Sequence, residues 1–139
     1  MKYSVLLPFY MFVLITLWPG LYSCTNDELP LPPHPAACDT MEVTYTNLVK
    51  DIIDNSCAYT GCHLTGSSSG ATGDFSTFNG IAPYLESGSF RDRVVSQKDD
   101  PVSGMPPNSS AYPESQKDTL TEEEFLIIQC WLYFGYPEK

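Results

Sequence analysis

The segment from Cys57 to His63, Cys-Ala-Tyr-Thr-Gly-Cys-His, constrains this chain more than any other part of its sequence. It holds two thiols separated by four residues, with a histidine directly after the second thiol. One interpretation is a disulfide between Cys57 and Cys62, and another is a share in a zinc site. Zinc fits poorly, because Cys62 and His63 are adjacent, whereas zinc ligands close in sequence usually have two or more residues between them.

A third interpretation uses all three side chains. Cys-x-x-Cys-His is the signature of covalent haem attachment, and this segment is a version with two extra residues between the cysteines. Both thiols would form thioether bonds with the porphyrin, and the His63 imidazole would bind iron as the proximal ligand. Gly61 tolerates the unusual backbone angles that a wider loop needs. The segment therefore predicts one covalently bound haem c, attached through Cys57 and Cys62.

The N-terminus predicts export. Lys2 precedes an apolar run from Val5 to Trp18, which is shorter than the roughly 20 residues that a spanning helix needs. Leu21-Tyr22-Ser23-Cys24 resembles a bacterial lipobox, so we expect residues 1–23 to be a lipoprotein signal peptide and Cys24 to be lipidated. An ordinary secretory signal and an uncleaved anchor are the alternatives. All three place the rest of the chain in the cell envelope, facing the periplasm or the cell surface, where disulfides persist.

The cysteine count predicts one structural disulfide. The chain has five cysteines, of which Cys24 is assigned to lipid and Cys57 and Cys62 to haem. Cys38 and Cys130 remain. A bond between them would join the two ends of a small domain and stabilise it by about 2–5 kcal/mol.

Proline content marks the boundary between anchor and domain. Residues 24–37 contain four prolines and read as a semi-rigid tether, with one domain over residues 38–139. We expect that domain to be all-α. Apolar residues at helical spacing predict a first helix from about Thr46 to Ser56. Thr121 to Glu124 forms a capping box that predicts a closing helix, which ends near Gly135.

The loop-rich middle of the domain carries the second candidate ligand. Met105 follows His63 by 42 residues and is framed by Gly104 and two prolines, so its sulfur can be held close to a cofactor without a helix. Met41 and His34 lack this framing.

Two arginines in the same middle region are candidate partners for haem propionates. Arg91 and Arg93 carry guanidinium groups, which suit a carboxylate that is partly buried. A solvated surface position is the alternative for both of them.

The order of these parts resembles that of class I c-type cytochromes, and more narrowly of small monohaem lipoprotein cytochromes. The similar segments are Cys57–His63, Gly73-Asp74-Phe75-Ser76-Thr77-Phe78 and Met105-Pro106-Pro107. The resemblance implies a small cytochrome c-like domain, with His63 and Met105 as axial ligands and thioether bonds from Cys57 and Cys62. Such a six-coordinate haem has no open position for a substrate, so it implies an electron-transfer protein rather than an enzyme.

The net charge of the chain bears on its binding partners, and two alternative functions remain open. The sequence has 17 acidic and 7 basic residues, a net charge of −10. This acidity disfavours nucleic acid and favours a redox partner with a basic docking patch, although it also simply keeps an exported protein soluble. One alternative function is a non-haem lipoprotein binding module stapled by disulfides. The other is a haem sensor or enzyme with an open sixth position, which requires that Met105 does not bind iron.

Overall fold

The structure is a computed structural model, and it describes residues 34–65 and 71–139. Within these ranges the secondary structure is helical and contains no β-strand, so the predicted all-α class is confirmed there. The elements are a 3₁₀ helix (Ala36–Thr40), a π-helical turn (Tyr45–Val49) leading into α1 (Lys50–Ser56), α2 (Phe78–Glu86), α3 (Ser89–Arg91) leading into a second π-helical turn (Asp92–Ser96), and α4 (Glu122–Tyr133). The predicted signal peptide, Cys24 and most of the tether lie outside the described residues.

Threonine caps set the starts of the three main helical segments. Thr44 and Thr77 each accept a hydrogen bond from the backbone N–H three residues on, at 3.2 Å. At α4 the predicted capping box is present: Thr121 accepts the Glu124 N–H at 3.2 Å, and the Glu124 carboxylate accepts the Thr121 N–H at 2.8 Å. These bonds satisfy backbone donors that a helix leaves unpaired at its first turn.

The core forms where α4 packs against the Tyr45–Val49 turn. Trp131 lies at its centre with no exposed surface, and its ring contacts those of Tyr45 and Phe90 at centroid distances of 6.1 Å. The indole N–H and the Tyr45 backbone N–H both donate to the Pro137 carbonyl, at 3.0 and 2.9 Å. The chain after α4 therefore returns to the start of the first helical segment.

A disulfide joins Cys38 to Cys130, the pairing that the cysteine count predicts. The two residues are 92 positions apart, and they are 1% and 0% exposed. The bond ties the 3₁₀ helix to α4. Closing so long a loop restricts the unfolded chain, which is the main way in which a disulfide stabilises a domain.

His34, which precedes the predicted domain boundary at Cys38, contacts the domain. His34 stacks on the Tyr133 ring at a centroid distance of 4.0 Å, and its Nε2 pairs with Asp39 at 2.8 Å. The last residues of the predicted tether therefore contact the domain. No helix within residues 34–65 and 71–139 has the length and apolar character that crossing a membrane requires.

Candidate functional site

The Cys57–His63 segment forms a closed turn directly after α1. The Cys62 N–H donates to the Tyr59 carbonyl at 3.0 Å, and the His63 N–H donates to the Cys57 carbonyl at 3.0 Å. Gly61 has a φ of 95°, a conformation that favours glycine. The four intervening residues are thus folded back, so that the backbones of Cys57 and His63 meet.

Both thiols of this turn are free. Cys57 is buried at 9% exposure, and burial raises the pKa of its thiol to about 12, with a further contribution from Cys62. Cys62 is partly exposed. The disulfide that the binding-module alternative requires between these two cysteines is therefore not formed.

His63 is held in one orientation by two contacts. Its Nδ1 lies 2.8 Å from the Thr72 carbonyl, and its ring stacks on that of Phe75 at 4.0 Å with an interplanar angle of 1°. Because a carbonyl only accepts, Nδ1 carries the proton and the lone pair of Nε2 is free for a metal. Burial lowers the pKa of His63, which favours the neutral imidazole that metal binding needs.

Asp74 fixes the segment that carries Phe75. Its carboxylate accepts the Ser76 N–H at 3.0 Å, the Ser76 hydroxyl at 2.6 Å and the Thr65 hydroxyl. Hydrogen bonds from Ser76 and then Thr65 lower the pKa of Asp74 to about 2. The preceding Gly73 has a φ of 87°, and a Cβ there would lie 2.6 Å from the Tyr84 ring. The Gly-Asp-Phe sequence therefore has a clear local structural role.

The Met105 loop is attached to the second π-helical turn. The Met105 N–H donates to the Arg93 carbonyl at 3.1 Å, and the Arg93 guanidinium donates to the Ser103 carbonyl at 3.1 Å. Gly104 is required by close packing, since a Cβ there would lie 2.6 Å from the carbonyl oxygens of Gln97 and Asp100. The loop is thus fixed directly before the methionine without being helical.

Two cavities that share lining residues bring the predicted ligands together, and we call them the central cleft. The smaller, of about 190 Å³, is lined by Cys57, Cys62, His63 and Met105 together. The larger, of about 370 Å³, shares three of these residues and adds the apolar walls of Phe75, Phe90 and Val94. The combined cleft is of a size that suits a bound organic cofactor.

A third cavity, of about 790 Å³, lies between the Met105 loop and the start of α4. Leu120, Phe125 and Leu126 contribute much of its apolar wall. Neither Cys57 nor Cys62 lines it, and nor does His63. Met105 borders this cavity as well as the central cleft.

The structure separates the two predicted propionate partners. Arg93 lines the larger cavity of the central cleft, whereas Arg91 does not line the cleft and donates to the Leu132 carbonyl at 3.0 Å. The alternative ligands Met41 and His34 also lie away from the cleft. Of the two arginines and the two alternative ligands, only Arg93 lines the central cleft together with the two cysteines, His63 and Met105.

Sequence reasoning missed Ser56 and Tyr59. The Ser56 hydroxyl lines the smaller cavity, is 1% exposed and has no hydrogen-bond partner among the described residues. Its position directly before Cys57 was the only available signal. Tyr59 is buried at 9% exposure inside the cysteine segment, and an aromatic residue within that short loop was the signal for it.

Comparison with protein-family models, curated proteins and solved structures finds no match to this chain. In the part of the chain that the structure describes, no group of three or more His, Cys, Asp or Glu side chains is arranged to hold a metal ion. The chemistry of the site therefore has to be inferred from the four side chains at the central cleft and from the contacts that hold them.

Proposed function

We propose that this chain is an exported, membrane-anchored monohaem c-type cytochrome that carries single electrons between redox partners. The observation that carries the proposal is the lining of one cavity by Cys57, Cys62, His63 and Met105. These are two thiols, an imidazole and a thioether, the groups that covalent attachment and axial ligation of a haem require.

The residues present fit that cofactor. Cys57 and Cys62 are free to form thioether bonds, and the Thr72 carbonyl leaves Nε2 of His63 available for iron. Met105 supplies a soft sulfur at the same cleft. When bound, haem c would supply a centre that gains and loses one electron, and methionine ligation would raise its reduction potential.

The chain's own residues explain why an electron carrier is favoured over a catalyst. Phe75, Phe90 and Val94 give the cleft an apolar wall. The loop contacts of Arg93 hold Met105 at the cleft, where it can fill the second axial position. If His63 and Met105 both bound the iron of a haem held here, no coordination position would be left for a substrate.

The proposed location depends on segments outside the described residues. A lipid on Cys24 and the tether after it would hold the domain at a membrane in the cell envelope. The acidic character of the chain supports docking to a partner protein with a basic patch, because complementary charges steer association. The same acidity argues against a nucleic-acid partner.

Covalent attachment is tested by producing the chain together with a haem-attachment system and extracting it with acid and acetone. We expect the haem to stay on the wild-type protein and to extract completely from the Cys57→Ala/Cys62→Ala variant. Complete extraction from the wild type would contradict the proposal. A Cys57–Cys62 disulfide in mass mapping would then favour the non-haem binding module.

Axial ligation is tested by comparing Met105→Ala with Met41→Ala as a matched control. Met105→Ala should abolish the weak far-red sulfur-to-iron band of the ferric protein, lower its reduction potential and admit carbon monoxide or cyanide. Met41→Ala should change none of these properties. A Met105→Ala protein with the wild-type spectrum and potential would favour a haem sensor or enzyme instead.

A further inference from the structure

Of the four residues between Cys57 and Cys62, Tyr59 directs its side chain away from solvent. Tyr59 is 9% exposed, and its hydroxyl accepts the Gln116 backbone N–H at 3.0 Å. This bond spans 57 positions of sequence and joins the middle of the cysteine loop to the turn before α4.

A second contact joins the same two segments, and a third closes the turn that receives Tyr59. Gly61 faces Glu114 so closely that a Cβ there would lie 3.2 Å from the Glu114 Cβ. Ser115 is buried at 9% exposure, and its hydroxyl donates to the Lys117 carbonyl at 2.9 Å. Burial raises the pKa of Tyr59. Hydrogen bonds with Ser115 and Gln116 lower that pKa, and Cys62 raises it again.

The turn that receives Tyr59 is itself fixed to α4. Lys117 pairs with Glu124 at 2.5 Å, and Glu124 belongs to the capping box with Thr121. A continuous set of contacts thus runs from the cysteine loop through the 114–117 turn to the first turn of α4. The middle of the cysteine loop is therefore bonded to the 114–117 turn, which the Lys117–Glu124 ion pair holds against α4.

We propose that Tyr59 is a positioning residue that sets the location of Cys62 relative to Cys57 for attachment of the cofactor at two points. This inference rests on the proposed function. Four residues between the thiols have more conformational freedom than two, so the second thiol is harder to place. Holding Tyr59 at the Gln116 N–H removes much of that freedom while leaving both thiols at the central cleft.

The test compares Tyr59→Phe, Tyr59→Ala and the loop control Thr60→Ala, each produced with a haem-attachment system. Thr60 is exposed and lies next to Tyr59. Haem-peptide mass mapping and the pyridine haemochrome spectrum measure the ratio of singly to doubly attached haem. Tyr59→Phe should raise that ratio about fivefold, the effect of losing one net hydrogen bond. Tyr59→Ala should raise it further and leave an alkylatable Cys62 thiol, and Thr60→Ala should match the wild type.

A second readout uses the haem-free chain. The Gln116 amide should be protected from hydrogen exchange in the wild type and in Thr60→Ala, and should lose that protection in Tyr59→Phe. Equal protection in Tyr59→Phe, or complete double attachment in both Tyr59 variants, would overturn the positioning role alone. A wild-type chain that binds no haem covalently would overturn the proposed function and this inference together. If Tyr59→Ala does not fold, Tyr59→Phe decides, because it keeps the buried ring.

Discussion

The disulfide-tied core and the central cleft differ in how their space is filled. In the core, Trp131 and Cys130 are completely buried and Cys38 is 1% exposed, and the indole N–H has a carbonyl partner. In the central cleft, Cys57 and Met105 border open cavities of about 190 and 370 Å³. The core is complete with its own side chains, whereas the cleft keeps room beside reactive and metal-binding groups.

The central cleft, unlike the core, has room for the haem proposed above. A well-packed interior leaves few voids larger than a water molecule. The central cleft departs from that rule at the place where two free thiols, a histidine and a methionine meet. We therefore expect substitutions in the core to change stability in every state of the protein. Substitutions in the cleft should act mainly on the haem-bound state.

The largest effect is expected from Trp131→Ala. Removing this buried ring should lower the free energy of unfolding by about 3–5 kcal/mol, through lost burial and a residual cavity. Chemical denaturation of the haem-free chain measures the change. Met105→Ala is the matched cleft variant, and it should cost less than about 1 kcal/mol in the same chain, because the side chain already borders open space. An equal loss of unfolding free energy in the two variants would contradict the difference in packing between the core and the central cleft.

The next effect is expected from the Cys38→Ala/Cys130→Ala variant. Loss of the disulfide should lower the free energy of unfolding by about 2–5 kcal/mol, because the unfolded chain gains conformational freedom. The visible spectrum of the haem-bound protein should stay unchanged, since neither sulfur lies at the central cleft. Alkylation of either cysteine in the folded wild type under non-reducing conditions would show that the bond is absent.

A smaller effect is expected at the start of α4. Thr121→Ala removes the capping hydroxyl and should cost about 1 kcal/mol of stability, measured by denaturation. Thr119→Ala is the control, since Thr119 is exposed and caps no helix. A cost at Thr119 as large as that at Thr121 would contradict the assignment of the cap.

The smallest effect is expected from Asp74, and it depends on pH. The folded pKa of Asp74 is about 2, below the ordinary value of 3.8, so its hydrogen bonds stabilise the protein above pH 3.8. This contribution is lost as the pH falls from 3.8 to about 2. Asp74→Asn should reduce the slope of stability against pH in that window. An unchanged slope would show that Asp74 does not make these bonds in solution.

Local sequence signals predicted the helices and the disulfide well. The capping box at Thr121 and the apolar spacing before Ser56 are short-range patterns, and the structure contains both helices. The Cys38–Cys130 pairing followed from assigning the other cysteines to separate roles. In each case the physical cause lies in neighbouring residues or in the cysteine count, which a sequence displays directly.

The long-range contacts of the site could not be predicted in this way. The Tyr59–Gln116 bond and the Arg91–Leu132 bond join segments 57 and 41 positions apart. Thr72 holds His63 through a backbone carbonyl, a group that every residue carries, so no side-chain pattern indicates it. The apolar spacing predicted helical structure before Ser56, but it did not distinguish the π-helical turn at Tyr45–Val49 from an α-helix.

Covalent attachment of haem to Cys57 and Cys62 is tested most directly by mass spectrometry of the peptide that contains residues 57–63. The peptide is taken from protein produced with a haem-attachment system. We predict that this peptide carries the mass of one haem and that neither Cys57 nor Cys62 can be alkylated. A haem-free peptide with a Cys57–Cys62 disulfide, or with two alkylated thiols, would contradict it.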